Sequence, residues 1–343
     1  MAESGLAARV LAGEVRAAAR LMREVDDHTP AAEHELRQLY PHTGRARIIG
    51  ITGNPGAGKS TLTDRLIEVY RKAGRKVGVV CVDPSSPYSG GAILGDRIRM
   101  SRHALDPGVF IRSVATRGHL GGLSRSARDM VRVLDASGSD VVLVETVGVG
   151  QDELEITRTA HSTLVVMAPG LGDEIQAIKA GLLETADVFC VNKADRDGAD
   201  ATIRDLELMI ALGTESVLAA SRARGHVVHS EAIDPTAGEA AGPSRLAWRP
   251  PIKRAVATRG EGITEVVDAL AQHREWLETT PEGRARRRAR LAEELREALR
   301  EALIDEATQS LRPALEAAVA RVEERVEDPY TATESLVRAF RER

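Results

Sequence analysis

At 343 residues the chain exceeds one modest domain, and its formal net charge of -4 leaves no overall basic footprint for nucleic acid. Aromatic residues are 3% of the total, too few for a base-stacking surface. There is no bilayer-length apolar run and no leader-type apolar core, and Glu3, Glu14, Glu24, Asp26 and Asp27 are unlike a transit peptide, so a cytoplasmic protein without membrane attachment is expected. Cys81 and Cys190 each sit inside an apolar run, which reads as two buried thiols in a reducing compartment.

Residues 1–45 read as a helical extension. Leu6, Val10, Val15, Leu21 and Val25 fall roughly on one face, and a second helix is expected over 31–39, before Pro41. Strand and helix patterns then alternate. Strands are expected at 47–52, 77–82, 109–114, 140–145, 163–168, 187–192 and 252–258. Helices are expected near 58–73, 95–105, 123–136, 174–185, 199–212 and 263–278. Runs such as VGVVCV and DVVLVE are continuously apolar, as strands covered on both faces should be. The alternation implies an α/β domain over 46–279 with a mainly parallel sheet. Within it, 213–247 lacks a period and reads as a mobile surface insertion. From 280 to 343 the chain becomes a charged helical arm. Leu291, Leu295, Leu299 and Leu303 make one stripe; Leu311, Leu315, Val319, Val322 and Val326 make another. Such stripes must be covered by the main domain or by a second copy, and a dimerisation arm is favoured. The arginine run at 284–288 reads as a solvated helix face.

The chemistry gathers at strand ends. After the first strand comes Gly53-Asn54-Pro55-Gly56-Ala57-Gly58-Lys59-Ser60, followed by Thr61 and a helix. Glycines let the backbone curl so that its N–H groups can point at phosphate oxygens, and the helix start adds positive potential. Lys59 can reach β- and γ-phosphates, and Ser60 can ligate Mg²⁺. The fourth strand ends in Glu145-Thr146-Val147-Gly148, an acid suited to anchoring Mg²⁺ through water, with Gly148 placed to sense a γ-phosphate. The usual acid there is Asp. Asp83 ends the second strand, and a Gly/Ser/Pro loop leads from it to Asp96; both carboxylates are candidate metal or water-positioning groups.

The sixth strand ends in Asn192-Lys193-Ala194-Asp195. The Asp195 carboxylate can accept from guanine N1–H and the exocyclic amine, neither of which adenine offers in that geometry. The Lys193 stem can cover the base, and Asn192 can tie neighbouring loops together. Val256-Ala257-Thr258 is the expected last base-edge loop, with Val256 where Ser is commoner. Together these motifs predict a GTP site.

With those residues in hand, the chain resembles the MeaB/MMAA (ArgK) family. The matching segments are GITGNPGAGKST, VDPSSPYSGGAILGDRIRM, ATRGHLGGLSR, VETVGVGQDE, APGLGDEIQAIKAG, NKAD and Trp248–Pro251, across about residues 5–278. The resemblance implies a P-loop NTPase fold of the SIMIBI GTPase type, with an N-terminal helical extension and a C-terminal dimerisation arm. It implies Mg²⁺-dependent GTP hydrolysis in a homodimeric chaperone of an adenosylcobalamin-dependent acyl-CoA mutase, chiefly methylmalonyl-CoA mutase. It also implies a mobile loop over 170–180 that couples nucleotide state to the mutase, with Asp173, Glu174, Gln176 and Lys179 as its polar positions. Lys59, Asp96, Glu145 and Lys179 are the expected catalytic set, and Ser60, Asp83, Asp96 and Glu145 the expected metal set. No general base is assigned; Gln151 and Asp152 are near the switch region. The rival readings are an ATP-using kinase or transport ATPase, a nickel metallochaperone GTPase and a non-catalytic nucleotide-gated binding module.

Overall fold

The computed structural model describes residues 5–83, 100–103, 105–115, 125–146, 159–170, 185–224 and 248–342, with Asp83, Ser101 and 213–224 through their backbone alone. Two compact units divide at residues 284 and 285.

The first unit is built on seven parallel strands: β1 (Arg47–Gly53), β2 (Val77–Asp83), β3 (Val109–Ala115), β4 (Val141–Thr146), β5 (Ser162–Met167), β6 (Val188–Val191) and β7 (Ile252–Arg254). Their order is β3-β2-β4-β1-β5-β6-β7. β1 therefore lies between β4 and β5, in parallel register with both. The connections run to opposite sides of β1, and such a switch point opens a crevice at the carboxyl ends of the strands.

Alternate strand side chains feed different cores, as a period of two requires. Val79, Cys81 and Leu143 pack with α4 (Lys59–Lys72) and with α7 (Ile263–Thr279). Val80, Val82, Val142 and Val144 pack on the other face with α5 (Arg125–Ala136) and the N-terminal helices. Val165, Met167, Phe189 and Val191 form a third core with α6 (Ala199–Arg224). Both cysteines are buried and neither forms a disulfide, as their apolar settings predict. Burial pushes the Cys190 thiol up to about 12, so it stays protonated.

The N-terminal extension is three helices, α1 (Leu6–Leu11), α2 (Val15–Asp26) and α3 (Pro30–Leu39). The single face expected over residues 6–25 breaks at Gly13, whose φ of 80 lies in the left-handed region. Thr29 caps α3 by accepting from Ala32 N–H, and Pro30 takes the first helical position. Val10, Leu21, Met22 and Leu39 are fully buried, each contributing about 1.5–3 kcal/mol of transfer free energy as an upper estimate. From α5, the Asp135 carboxylate accepts the backbone N–H groups of Gly44, Arg45 and Ala46. That clasp fixes the segment entering β1, and so the loop that leaves it.

Three expectations need correction. The helix expected to stop at 212 continues as α6 to Arg224, so 213–224 is regular structure and not part of an irregular insertion; 225–247 lies outside the described residues. The last strand ends at Arg254, because the chain turns back at once and Val256 bridges Glu261. Of the helix expected near 95–105, the described part holds only a 3-10 turn at Ser101–His103. The helix expected near 174–185 falls almost wholly outside the described residues.

The second unit is helical. The boundary falls inside α8 (Pro281–Ser310), which is followed by α9 (Arg312–Glu323) and α10 (Pro329–Arg341). Leu291, Leu295, Leu299 and Leu303 stay exposed along α8. Val326 lies beyond the end of α9, and the second stripe is correspondingly shorter. Among the described residues, no helix is long and apolar enough to cross a membrane.

Candidate functional site

The loop from Asn54 to Gly58 leaves β1 at the switch point and enters α4. Gly53 has a φ of 130, and a Cβ there would lie 2.0 Å from the Val166 carbonyl oxygen of β5. Gly58 has a φ of 89 at the start of α4, and its Cβ would lie 2.5 Å from Asn192 Nδ2. Both sites admit only glycine, for conformation and for space together. Inside the loop, Lys59 Nζ donates to the carbonyls of Gly53 at 2.6 Å and Asn54 at 3.1 Å. The side chain is buried and its charge is held beneath the loop. Asn54 is half-buried, Pro55 and Gly56 are exposed, Ala57 is buried, and Thr61 is exposed.

Ser60, in the first turn of α4, donates through Oγ to Glu145 Oε1 at 2.7 Å. Parallel register sets Glu145 beside Ile51 of β1 and Cys81 of β2, so the acid and the loop start from neighbouring strand ends. Asp83 ends β2 opposite Ala115 of β3. Gly148, Gln151, Asp152, Asp96 and Lys179 lie outside the described residues.

At the end of β6, the buried Asn192 side chain joins three segments. Nδ2 donates to Ala57 O of the glycine loop at 2.9 Å, and Oδ1 accepts from Ala257 N at 3.0 Å. Lys193, with a φ of 57, reaches back so that Nζ donates to Gly56 O at 2.7 Å. Asp195 projects an exposed carboxylate, with Arg259 Nη1 3.8 Å from its Oδ2. Arg259 is more closely paired with Glu261, Nε to Oε1 at 2.9 Å. The turn after β7 is compact: Val256 N–H donates to Glu261 O at 3.0 Å, and Arg259 N–H donates to Val256 O at 2.9 Å. Val256 and Ala257 are buried and Thr258 is exposed. The valine that replaces the commoner serine thus closes the turn through backbone and burial alone.

Arg65 was invisible to motif reasoning. It lies on α4, and its Nε and Nη2 donate to the carbonyls of Ala257 and Thr258 at 2.9 and 3.0 Å. On a single sequence it is one more charged residue of an amphipathic helix, and no local signal marks it.

A Ser-His-Asp set also occurs, at the other end of the sheet. Ser162 Oγ lies 2.8 Å from His273 Nδ1, and His273 Nε2 lies 3.4 Å from Asp187 Oδ1. Trp248 Nε1 donates to Asp187 O, and the rings of Trp248 and Trp276 pack on His273. All three triad-like residues are buried, and the set reads as a packing device that ties α7 to the strand starts.

A parallel sheet with a glycine loop at its switch point, and a lysine and a serine opening the following helix, define a P-loop nucleoside triphosphatase fold. The chain belongs to the MeaB family: the model described as "Methylmalonyl Co-A mutase-associated GTPase MeaB" matches residues 16–312. Among its relatives, a putative GTPase of Pyrococcus abyssi is 49% identical over 280 residues, 82% of this chain and 78% of the relative. A probable GTPase of Mycobacterium tuberculosis is 37% identical over 289 residues, 83% of this chain and 78% of that protein. A crystal structure described as a LAO/AO transport system kinase covers 99% of both chains with a TM-score of 0.64 and 24% identity, a likeness of fold.

Proposed function

We propose that the chain binds Mg·GTP, hydrolyses it slowly to GDP and phosphate, and uses the change of nucleotide as a chaperone. Its client would be an adenosylcobalamin-dependent acyl-CoA mutase, with methylmalonyl-CoA mutase the first candidate, and the nucleotide state would gate loading of cofactor and removal of damaged cofactor. The observation that carries the GTP reading is the double tether of Asn192. It joins the glycine loop, the end of the strand leading to Asp195 and the turn at 256–258. A ligand spanning loop and acid is then read at both ends: phosphates by amides and Lys59, base by Asp195. The Lys193 stem covers the base, while Val256, Ala257 and Thr258 wall its edge.

The donor set suits Mg²⁺. Ser60 offers a hydroxyl and Glu145 a carboxylate, hard oxygens 2.7 Å apart at the positive end of a helix. Glu145 would hold the ion through water, with Asp83 and Asp96 supplying further carboxylate. Bound there, Mg²⁺ neutralises charge that develops on phosphate oxygens. Lys59 stabilises the same charge from the loop side, and the N–H groups of Gly53 to Thr61 orient the triphosphate. Lys179 and the rest of 170–180 are proposed to report nucleotide state to the mutase. The mutase assignment rests on the family's description. A homodimer is proposed from the exposed leucine ladder of α8, which a second copy can cover.

Phosphate release from GTP, with and without a candidate mutase, tests the proposal. Lys59→Ala should slow release by about a hundredfold, as loss of a charge-stabilising group does, and the mutase should be retained differently in GTP analogue and in GDP. Unchanged turnover in Lys59→Ala would refute the site; equal retention in both nucleotides would refute the chaperone half.

A further inference from the structure

α4 carries more than the phosphate loop. Two turns into it, the Arg65 guanidinium spends its three nitrogens on three partners: Nε on Ala257 O at 2.9 Å, Nη2 on Thr258 O at 3.0 Å and Nη1 on Glu68 Oε2 at 2.9 Å. Ala257 is thereby gripped from both sides, its N–H by Asn192 and its carbonyl by Arg65. Glu68 in turn receives Lys72 Nζ at 2.8 Å and Arg102 Nη2 at 3.2 Å. Arg102 Nε donates to Asp64 Oδ1 at 2.7 Å, and His103 Nε2 lies 3.0 Å from the same oxygen. One charged network on the outer face of α4 thus runs from the turn at 257–258 to residues 102–103.

We propose that Arg65, oriented by Glu68, is a positioning residue for nucleotide-base specificity. It holds the 256–258 turn at the height where Asp195 and the turn can close on a guanine edge. The inference rests on the GTP reading and extends it to a residue outside every nucleotide-binding motif. The physical reason lies in the forked donor. A planar guanidinium fixes two successive carbonyls in one plane, while an ammonium on a flexible stem can reach them but sets no such plane. Without the fork, the turn keeps its internal bonds and the Asn192 tie to its Ala257 N–H, but the carbonyls of Ala257 and Thr258 lose their link to α4 and the turn can shift against that helix. That shift costs the base contacts but leaves the phosphate loop untouched, because the Lys59 and Ser60 contacts do not pass through Arg65.

The test is calorimetric binding of GTP, ITP and ATP to wild type, Arg65→Ala, Arg65→Lys and Glu68→Gln, with thermal melting of each. ITP lacks the exocyclic amine that Asp195 would bind. Arg65→Ala should lower the preference for GTP over ATP by roughly tenfold, the low end for losing a charged donor at a partly exposed site. ATP affinity, carried by the phosphates, should stay within about twofold, since no phosphate contact is removed. Arg65→Lys should recover part of the preference, and Glu68→Gln should lose less of it than Arg65→Ala. A folded Arg65→Ala protein with wild-type preference overturns the inference. So does parallel weakening of GTP and ATP, which a merely structural role gives. If wild type itself fails to bind GTP, the GTP reading fails first, and that outcome is separate.

Discussion

Ser60 and Glu145 are 85 positions apart in the chain, and a buried hydrogen bond of 2.7 Å joins their side chains. It links the first turn of α4 to the end of β4, directly beneath the glycine loop. The hydrogen bond brings together the hydroxyl and the carboxylate that are proposed to serve the metal.

Glu145→Ala should therefore act through the metal. It removes the carboxylate and leaves the buried Ser60 hydroxyl without that acceptor. GTP affinity in Mg²⁺ should fall by about ten- to a hundredfold, as for loss of one charge-assisted contact. In excess chelator, wild type and variant should bind alike. A variant that keeps its Mg²⁺-dependent gain in affinity would show that Glu145 has no part in holding the ion.

Asn192→Ala should cost stability and binding together. Two hydrogen bonds vanish, and Ala57 O and Ala257 N–H lose these partners in a buried setting. Denaturant unfolding should register a loss of about 2–4 kcal/mol, and GTP affinity should drop with it. Gly58→Ala, whose new Cβ would press on the same amide, should weaken nucleotide binding in the same direction. Full affinity in a destabilised Asn192→Ala protein would show that the tether serves folding only.

Acid stability should depend on Glu68. Hydrogen bonds from Lys72 and then Arg65 hold its carboxyl down to about 2, from an ordinary 4.5. A carboxyl with a lowered folded value stabilises the native state above its unfolded value, and loses that contribution as pH falls through the folded one. Glu68→Gln should thus be less stable than wild type at neutral pH. The gap should narrow between about 4.5 and 2 and be gone below that. The side chain is partly exposed, so salt should shrink the gap throughout. A gap that persists undiminished in acid would place the interaction elsewhere.

His273→Ala should destabilise without touching nucleotide chemistry. It removes a fully buried ring that meets Ser162, Asp187, Trp248 and Trp276. The expected loss is about 3–5 kcal/mol, as for a large buried side chain truncated to Ala. The KM for GTP should be unchanged at temperatures where the variant is folded. A selective rise in KM would contradict the purely structural role given to this set.

The sheet was legible because its strands are long apolar runs punctuated by glycine and acid, and a two-sided core leaves few other ways to write them. Its last strand was over-read: the apolar residues Ala255 to Ala257 are buried because the turn folds back under α7, not because the strand continues. α10 falls within the arm expected to be helical, but its separate start was not resolved although the signal stands in the sequence. Asp328 precedes Pro329, and its carboxylate accepts from Tyr330 and Thr331 N–H. In the site, the glycine positions could be read because left-handed backbone and close approach both demand glycine. The Asn192 tie was foreseeable from its place at a strand end. Arg65 was not, since its partners are backbone carbonyls 192 and 193 residues away that no pattern of side chains records.

The central claim is that Asp195 selects guanine while the glycine loop holds the phosphates. It is tested most directly by calorimetric titration of GTP, ATP and xanthosine triphosphate into wild type and Asp195→Asn. Xanthine carries a carbonyl where guanine carries its amine, so an amide at 195 can donate where the carboxylate accepted. Wild type should prefer GTP over ATP, and the preference should reverse toward xanthosine triphosphate in Asp195→Asn. ATP bound as tightly as GTP by wild type, or an unaltered preference in the variant, would contradict the claim.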